Sequence, residues 1–130
     1  RYINNELYTD EPDGLSGNED CGQMSAWYIL SSMGFYPVNP SNGAYVFGSP
    51  LFDEVYLNIP GQNKFKISAK NNSDENIYIQ SVSLNGEDYK YSYITHKQIL
   101  EGGKLEFVMG PNPNKNFGTE KKYRPKSIVY

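Results

Sequence analysis

The sequence predicts a mainly β fold, in which one long helix is followed by an antiparallel β-sandwich of about six or seven strands. Three observations predict it. A single apolar run with helical spacing, from about Cys21 to Met33, is framed by glycines. From Ala44 onward the chain breaks into short alternating runs separated by turn residues, as an antiparallel sandwich requires. The 12 tyrosines and 12 glycines suit strands and turns better than a helical bundle.

Residues 1–13, RYINNELYTDEPD, carry acidic and turn residues with little periodicity and are read as an extended leading segment. Pro12, Asp13 and Gly14 mark a turn. The stretch GLSGNEDCGQMSAWYILSSMG then runs from a polar, Gly-rich loop straight into the helix. Asp20 is its natural N-cap, and Gln23 three residues on completes an approximate capping box. Met24, Trp27, Tyr28, Leu30 and Met33 fall three and four apart. Gly34 is placed to end the helix in the left-handed conformation, and Pro37 prevents its resumption.

Two prolines with Asn42 and Gly43 exclude both helix and central strand from FYPVNPSNGAY. Strands are expected over 44–47, 52–59 and 64–70, the last with Phe65, Ile67 and Ala69 inward. In the strand over 77–84 the apolar phase changes, which predicts a bulge near Gln80 or Ser81. Asn85-Gly86 predicts a hairpin whose return strand would be 89–94. Thr95 reads as the cap of a single helical turn ended by Gly102 and Gly103. Leu105, Phe107 and Met109 point inward from a further strand, and residues 127–130 could form a last edge strand.

A chain of 130 residues supports one ordinary core. Its net charge of -3 offers no basic field, which argues against a nucleic-acid partner. One cysteine excludes an intrachain disulfide and a Cys-cluster zinc site. There is no signal peptide and no apolar run long enough for a membrane span, and the chain starts at Arg1 as a piece of something longer would. The helix carries more apolar surface than a small sandwich can cover, so part of its partner is expected to be missing.

Asn18, Glu19 and Asp20 are the strongest candidates for chemistry, because carboxylates at a helix start can serve as acid, base or metal ligand. The helix N-terminus keeps a carboxylate ionised, which suits a base. Physical chemistry alone nevertheless favours a plain cap. His96, the only histidine, has no Ser or Cys to activate and reads as a surface or capping residue. Cys21 reads as a small buried filler. Tyr89, Tyr91 and Tyr93 alternate, which fits a sugar-stacking platform or, more commonly, a half-buried sheet face.

The run from Gly17 to Tyr28, GNEDCGQMSAWY, continued by Met33-Gly34-Phe35-Tyr36-Pro37, resembles the last signature of the glycoside hydrolase family 92 exo-α-mannosidases. Tyr45 to Pro50, the Thr95-His96 turn, Gly102 to Phe107 and Met109-Gly110 extend the resemblance over most of the chain. It implies a part of a calcium-dependent, inverting enzyme that releases terminal α-linked mannose from glycans. Residues 1–36 would then be the last loop and helix of an (α/α)6 barrel, itself incomplete here, and 37–130 a β-sandwich domain. Asp20 matches the general base, and Asn18 a position often held by a second aspartate. Glu19 between them is expected to touch substrate. An inverting base must stand roughly 6.5–9.5 Å from the acid to admit water. By the resemblance that acid and the Ca2+ ligands lie outside this chain, so the piece alone is expected to be inactive. The missing N-terminal part of the same polypeptide is the expected partner, and a periplasmic, cell-surface or secreted location is implied. The alternative is a non-catalytic carbohydrate-binding or structural β-sandwich module.

Overall fold

The computed structural model describes residues 1–61 and 63–126; the edge strand expected over 127–130 lies outside them. The leading segment is not extended as expected: α1 (Tyr2–Glu6) is a short helix. It is held where it is by the Arg1 guanidinium, which donates to the carbonyls of Pro50 and Ser73 and to Asn72 Oδ1. These distant acceptors give no local sequence signal. The turn at 9–14 forms as read, with the Thr9 amide donating to the Gly14 carbonyl at 2.9 Å and Tyr8 bridged to Leu15.

The long helix, α2 (Gln23–Ser32), starts two residues later than the apolar run suggests. Gly34 ends it at φ 94°, where a side chain would be both strained and crowded: a Cβ would lie 3.1 Å from Pro50 and 3.3 Å from the Phe107 ring. The Leu51 amide donates to the Ser32 carbonyl, and the Gly48 amide to the Gly34 carbonyl, each at 2.9 Å. The C-terminal end of α2 is thereby fixed to the β region. Much of its surface remains open: Ile29 is 57% exposed, and of its residues only Ser32 is fully buried.

Two sheets share one core. The smaller is antiparallel, with β1 (Phe35–Asn39) at one edge, β2 (Ala44–Phe47) in the middle and β7 (Tyr93–Thr95) at the other edge. Pro37 is tolerated in β1 because it is an edge strand. The larger sheet is ordered β3 (Glu54–Asn58), β4 (Lys64–Lys70), β8 (Gly103–Gly110), β5 (Tyr78–Leu84), β6 (Glu87–Asp88). The fold is mainly β with an N-terminal helix, as expected, but one pairing departs from the antiparallel pattern: β4 and β8 are parallel. The crossover through the other strands allows this, and alternation within each strand is the same for both pairings.

Phe65, Ile67, Leu105 and Phe107 of the large sheet are fully buried, as is Ile94 of the small one. Phe47 meets Phe107 edge-on at 5.2 Å and so joins the layers. The bulge in β5 falls between Ile79 and Ser81, where the change of phase put it. The predicted return strand over 89–94 does not form. The hairpin closes with β6 alone, after which the chain crosses between layers and β7 pairs with β2. Asn85 at φ 54° and Gly86 at φ 88° make the tight turn. A full capping box between Thr95 and Gln98 starts α3 (His96–Leu100).

Candidate active site

Three consecutive residues ahead of α2 are left-handed: Asp20 at φ 52°, Cys21 at φ 59° and Gly22 at φ 89°. Glycine adopts this conformation freely and aspartate tolerates it, but cysteine pays about 1–2 kcal/mol for it. The consequence is a tight coil that carries Asp20 away from the position a capping residue occupies. Gly22, with no side chain, is the N-cap. The expected cap by Asp20 is thus corrected, and the left-handed coil is the reason.

The first-turn amides are satisfied without the Asp20 carboxylate. The Gln23 amide donates to the Asp20 carbonyl and the Met24 amide to the Glu19 carbonyl, both at 3.2 Å. The Ala26 amide donates to the Gly22 carbonyl at 3.0 Å. Glu19 caps the remaining one: its Oε1 accepts from the Ser25 amide at 3.0 Å and its Oε2 from the Ser25 hydroxyl at 2.9 Å. A carboxylate at the positive end of a helix is favourable there. Glu19, expected to touch substrate, is therefore engaged in holding the helix start, whereas Asn18 and Asp20 are exposed.

Beneath the loop lies an aromatic base. Tyr8 stacks on Trp27 at 5.7 Å and tilts against Tyr28 at 4.8 Å, and its hydroxyl donates to the Met24 carbonyl at 3.0 Å. Burial pushes the Tyr8 phenol up, and the Glu19 carboxylate and Tyr36 push it further. An open groove of about 720 Å³ runs between the 8–15 turn and α2, lined by Tyr8, Leu15, Ser25, Tyr28 and Ile29. Ser25 thus faces both Glu19 and this groove. Neither Tyr8 nor the Glu19–Ser25 pair was legible in the sequence. The first depends on a long-range contact, and the second spans six residues across a coil whose only signals are Gly17 and Gly22.

Other expectations fall differently. Cys21 is exposed, not a buried filler, because the coil turns it outward. His96 is exposed, as expected, with Nδ1 3.2 Å from the Tyr45 hydroxyl. Tyr89, Tyr91 and Tyr93 do come together, at 5.3 Å and 5.6 Å between successive rings, the first two on the interlayer crossing and Tyr93 at the start of β7. Among the described residues no three His, Cys, Asp or Glu side chains gather as a metal site, and no helix is long and apolar enough to cross a membrane.

A protein of Arthroderma benhamiae described as an uncharacterized secreted glycosidase is 33% identical over 124 residues, which are 93% of this chain and 16% of that protein. A solved family GH92 alpha-mannosidase of Bacteroides thetaiotaomicron superposes with a TM-score of 0.91 at 40% identity, over 98% of this chain and 17% of the other. A second structure from that organism, described as a family GH92 inverting mannosidase, gives 0.89 at 41% identity, over 96% and 17%. The chain therefore spans about one-sixth of the length of these relatives. Residues 1–111 match the glycosyl hydrolase family 92 catalytic domain, and the chain belongs to that family.

Proposed function

We propose that this chain supplies the general base of an inverting exo-α-mannosidase. Asp20 takes a proton from the water that attacks the anomeric carbon, while an acid carried elsewhere in the polypeptide protonates the departing glycosidic oxygen. One observation carries the reading. The start of α2 is fully capped by Glu19 and by backbone carbonyls, so the exposed Asp20 carboxylate has no structural task there, although the coil that carries it includes the strained Cys21. Exposure suits a base that must stay ionised and must reach a water on the open side of a sugar.

In this reading residues 1–36 end the catalytic (α/α)6 barrel and residues 37–130 form the sandwich packed on it. The exposed Ile29, Tyr2 and Ile3 are then faces covered by the rest of the same polypeptide. Asn18 stands where a partner carboxylate would assist, and as an amide it orients the water without taking its proton. Glu19 acts through Ser25 and the helix start, as a positioning residue. Among the described residues no three His, Cys, Asp or Glu side chains gather as a metal site, and in this reading the Ca2+ ligands, like the acid, lie outside this stretch. A secreted relative supports export of the parent enzyme.

The test is Asp20→Asn in the intact polypeptide that carries the chain, a change that keeps shape and tolerance of the left-handed backbone. We expect kcat on an aryl α-mannoside to fall by at least about 10³-fold, of the order that removal of a catalytic base costs, with unchanged thermal stability. Near-normal turnover would remove Asp20 from the role.

A further inference from the structure

We propose that the groove between the β5–β6 hairpin and residues 114–123 binds one neutral hexose unit of a polysaccharide, at a site built from residues other than those of the loop at 18–20. The groove encloses about 260 Å³, room for a single sugar ring. It is lined by the apolar side chains of Val82 and Phe117 and the Tyr89 ring, together with the polar groups of Asp88, Asn116 and Tyr123. That pairing matches a pyranose, which offers C–H groups on its faces and vicinal hydroxyls at its edge.

The charge balance points to a neutral ligand. Asp88 lies 4.0 Å from Lys90, and Glu120 lies 3.0 Å from Lys122. Each of these two carboxylates has an ammonium group nearby, so their charges are locally offset. The remaining recognition groups are an amide and hydroxyls, which donate and accept.

The groove is also preorganised. The Gln80 amide donates to the Asn112 carbonyl at 2.8 Å, and the Asn114 amide returns to the Gln80 carbonyl at 2.7 Å. Ser92 holds the far end through its amide and hydroxyl, both donating to the Tyr123 carbonyl. Gly118, at φ 65°, lets the wall approach Ser92 so closely that a Cβ would lie 2.9 Å from the serine Cβ. Behind the site the Tyr91 ring touches Tyr89 and Tyr123, each at 5.3 Å. Little ordering is left to be lost on binding. The wall over 114–123 lies beyond residue 111, where the match to the catalytic family ends, while Val82, Asp88 and Tyr89 lie within it.

Affinity electrophoresis of the intact polypeptide through gels containing mannan, an α-glucan or a β-glucan tests the proposal. At least one polysaccharide should retard it, and which one identifies the sugar. Asp88→Ala combined with Asn116→Ala, both at exposed positions, should weaken retardation about ten-fold, the loss of roughly 1.4 kcal/mol, while turnover of an aryl mannoside stays the same. Asp20→Asn should migrate like the parent. The proposal is overturned if no gel retards the parent, if the double variant is retarded equally, or if Asp20→Asn alone abolishes retardation.

Discussion

The Glu19 carboxylate accepts both hydrogen bonds that Ser25 can donate, at 3.0 Å from the amide and 2.9 Å from the hydroxyl. Two bonds from one residue fix the orientation of the carboxylate, and with it the coil that presents Asp20. Ser25→Ala keeps the amide bond and loses the other, and should cost about 1 kcal/mol. Glu19→Ala removes both and should cost about 2 kcal/mol, within the range of lost caps. Denaturation midpoints of the two single variants and the double variant check this; in the double variant the two costs should fall short of adding, because the residues share a bond.

Cys21 bears the conformational strain that aspartate and glycine on either side largely escape. Its φ of 59° predicts that Cys21→Gly stabilises the protein. The gain in left-handed energy of about 1–2 kcal/mol exceeds the entropy penalty of about 0.5–1 kcal/mol for a new glycine. A rise of roughly 0.5–1 kcal/mol follows, measured by chemical denaturation under reducing conditions. A more mobile coil should also hold Asp20 less well, so turnover in the intact polypeptide is expected to drop while stability rises.

How much of this was legible follows physical lines. Alternation placed Phe65, Ile67, Leu105, Phe107 and Met109 in the core, because the period of a strand is set by its own backbone. Thr95 and Gln98 announced their capping box for the same local reason. What escaped was whatever depended on distant partners: α1, held by Arg1; the parallel match of β4 to β8; and the transfer of 93–95 to the other sheet. The site divides the same way. The loop was singled out from its residues, yet the cap expected of Asp20 is made by Glu19, since three left-handed residues in a row cannot be read from one glycine.

Gly34 is where α2 and the sheets are joined, and Gly34→Ala should be among the most damaging small changes in the chain. Its φ of 94° disfavours any side chain, and a Cβ would press on Pro50 and the buried Phe107 ring at 3.1 Å and 3.3 Å. The strained backbone and the overpacked core each cost about 1–3 kcal/mol. We expect a loss of about 2–4 kcal/mol by urea denaturation, and a looser α2 seen as faster amide exchange in residues 23–32. A change within 0.5 kcal/mol of the parent, of the size usual at indifferent surface positions, would remove Gly34 from this role.

Glu106 on β8 predicts the behaviour in acid. Hydrogen bonds from Lys104, at 2.7 Å, and from Lys70, at 2.8 Å, hold its carboxyl down from 4.5 to about 2. A folded pKa below the unfolded one means that the unfolded chain takes up the proton first. The stabilisation is therefore complete above pH 4.5 and is lost as pH falls from there towards 2. Both lysines are substantially exposed, at 62% and 49%, so solvent screening limits the effect to about 1 kcal/mol. Glu106→Gln should lower stability by that amount at neutral pH and by progressively less below pH 4.5, until the two proteins coincide near pH 2. High salt should narrow the gap at neutral pH, because the same screening acts on the lysines. A gap that stayed constant down to pH 2 would mean that the side chain contributes by packing against Ser68 and its sheet neighbours, with its charge of little consequence.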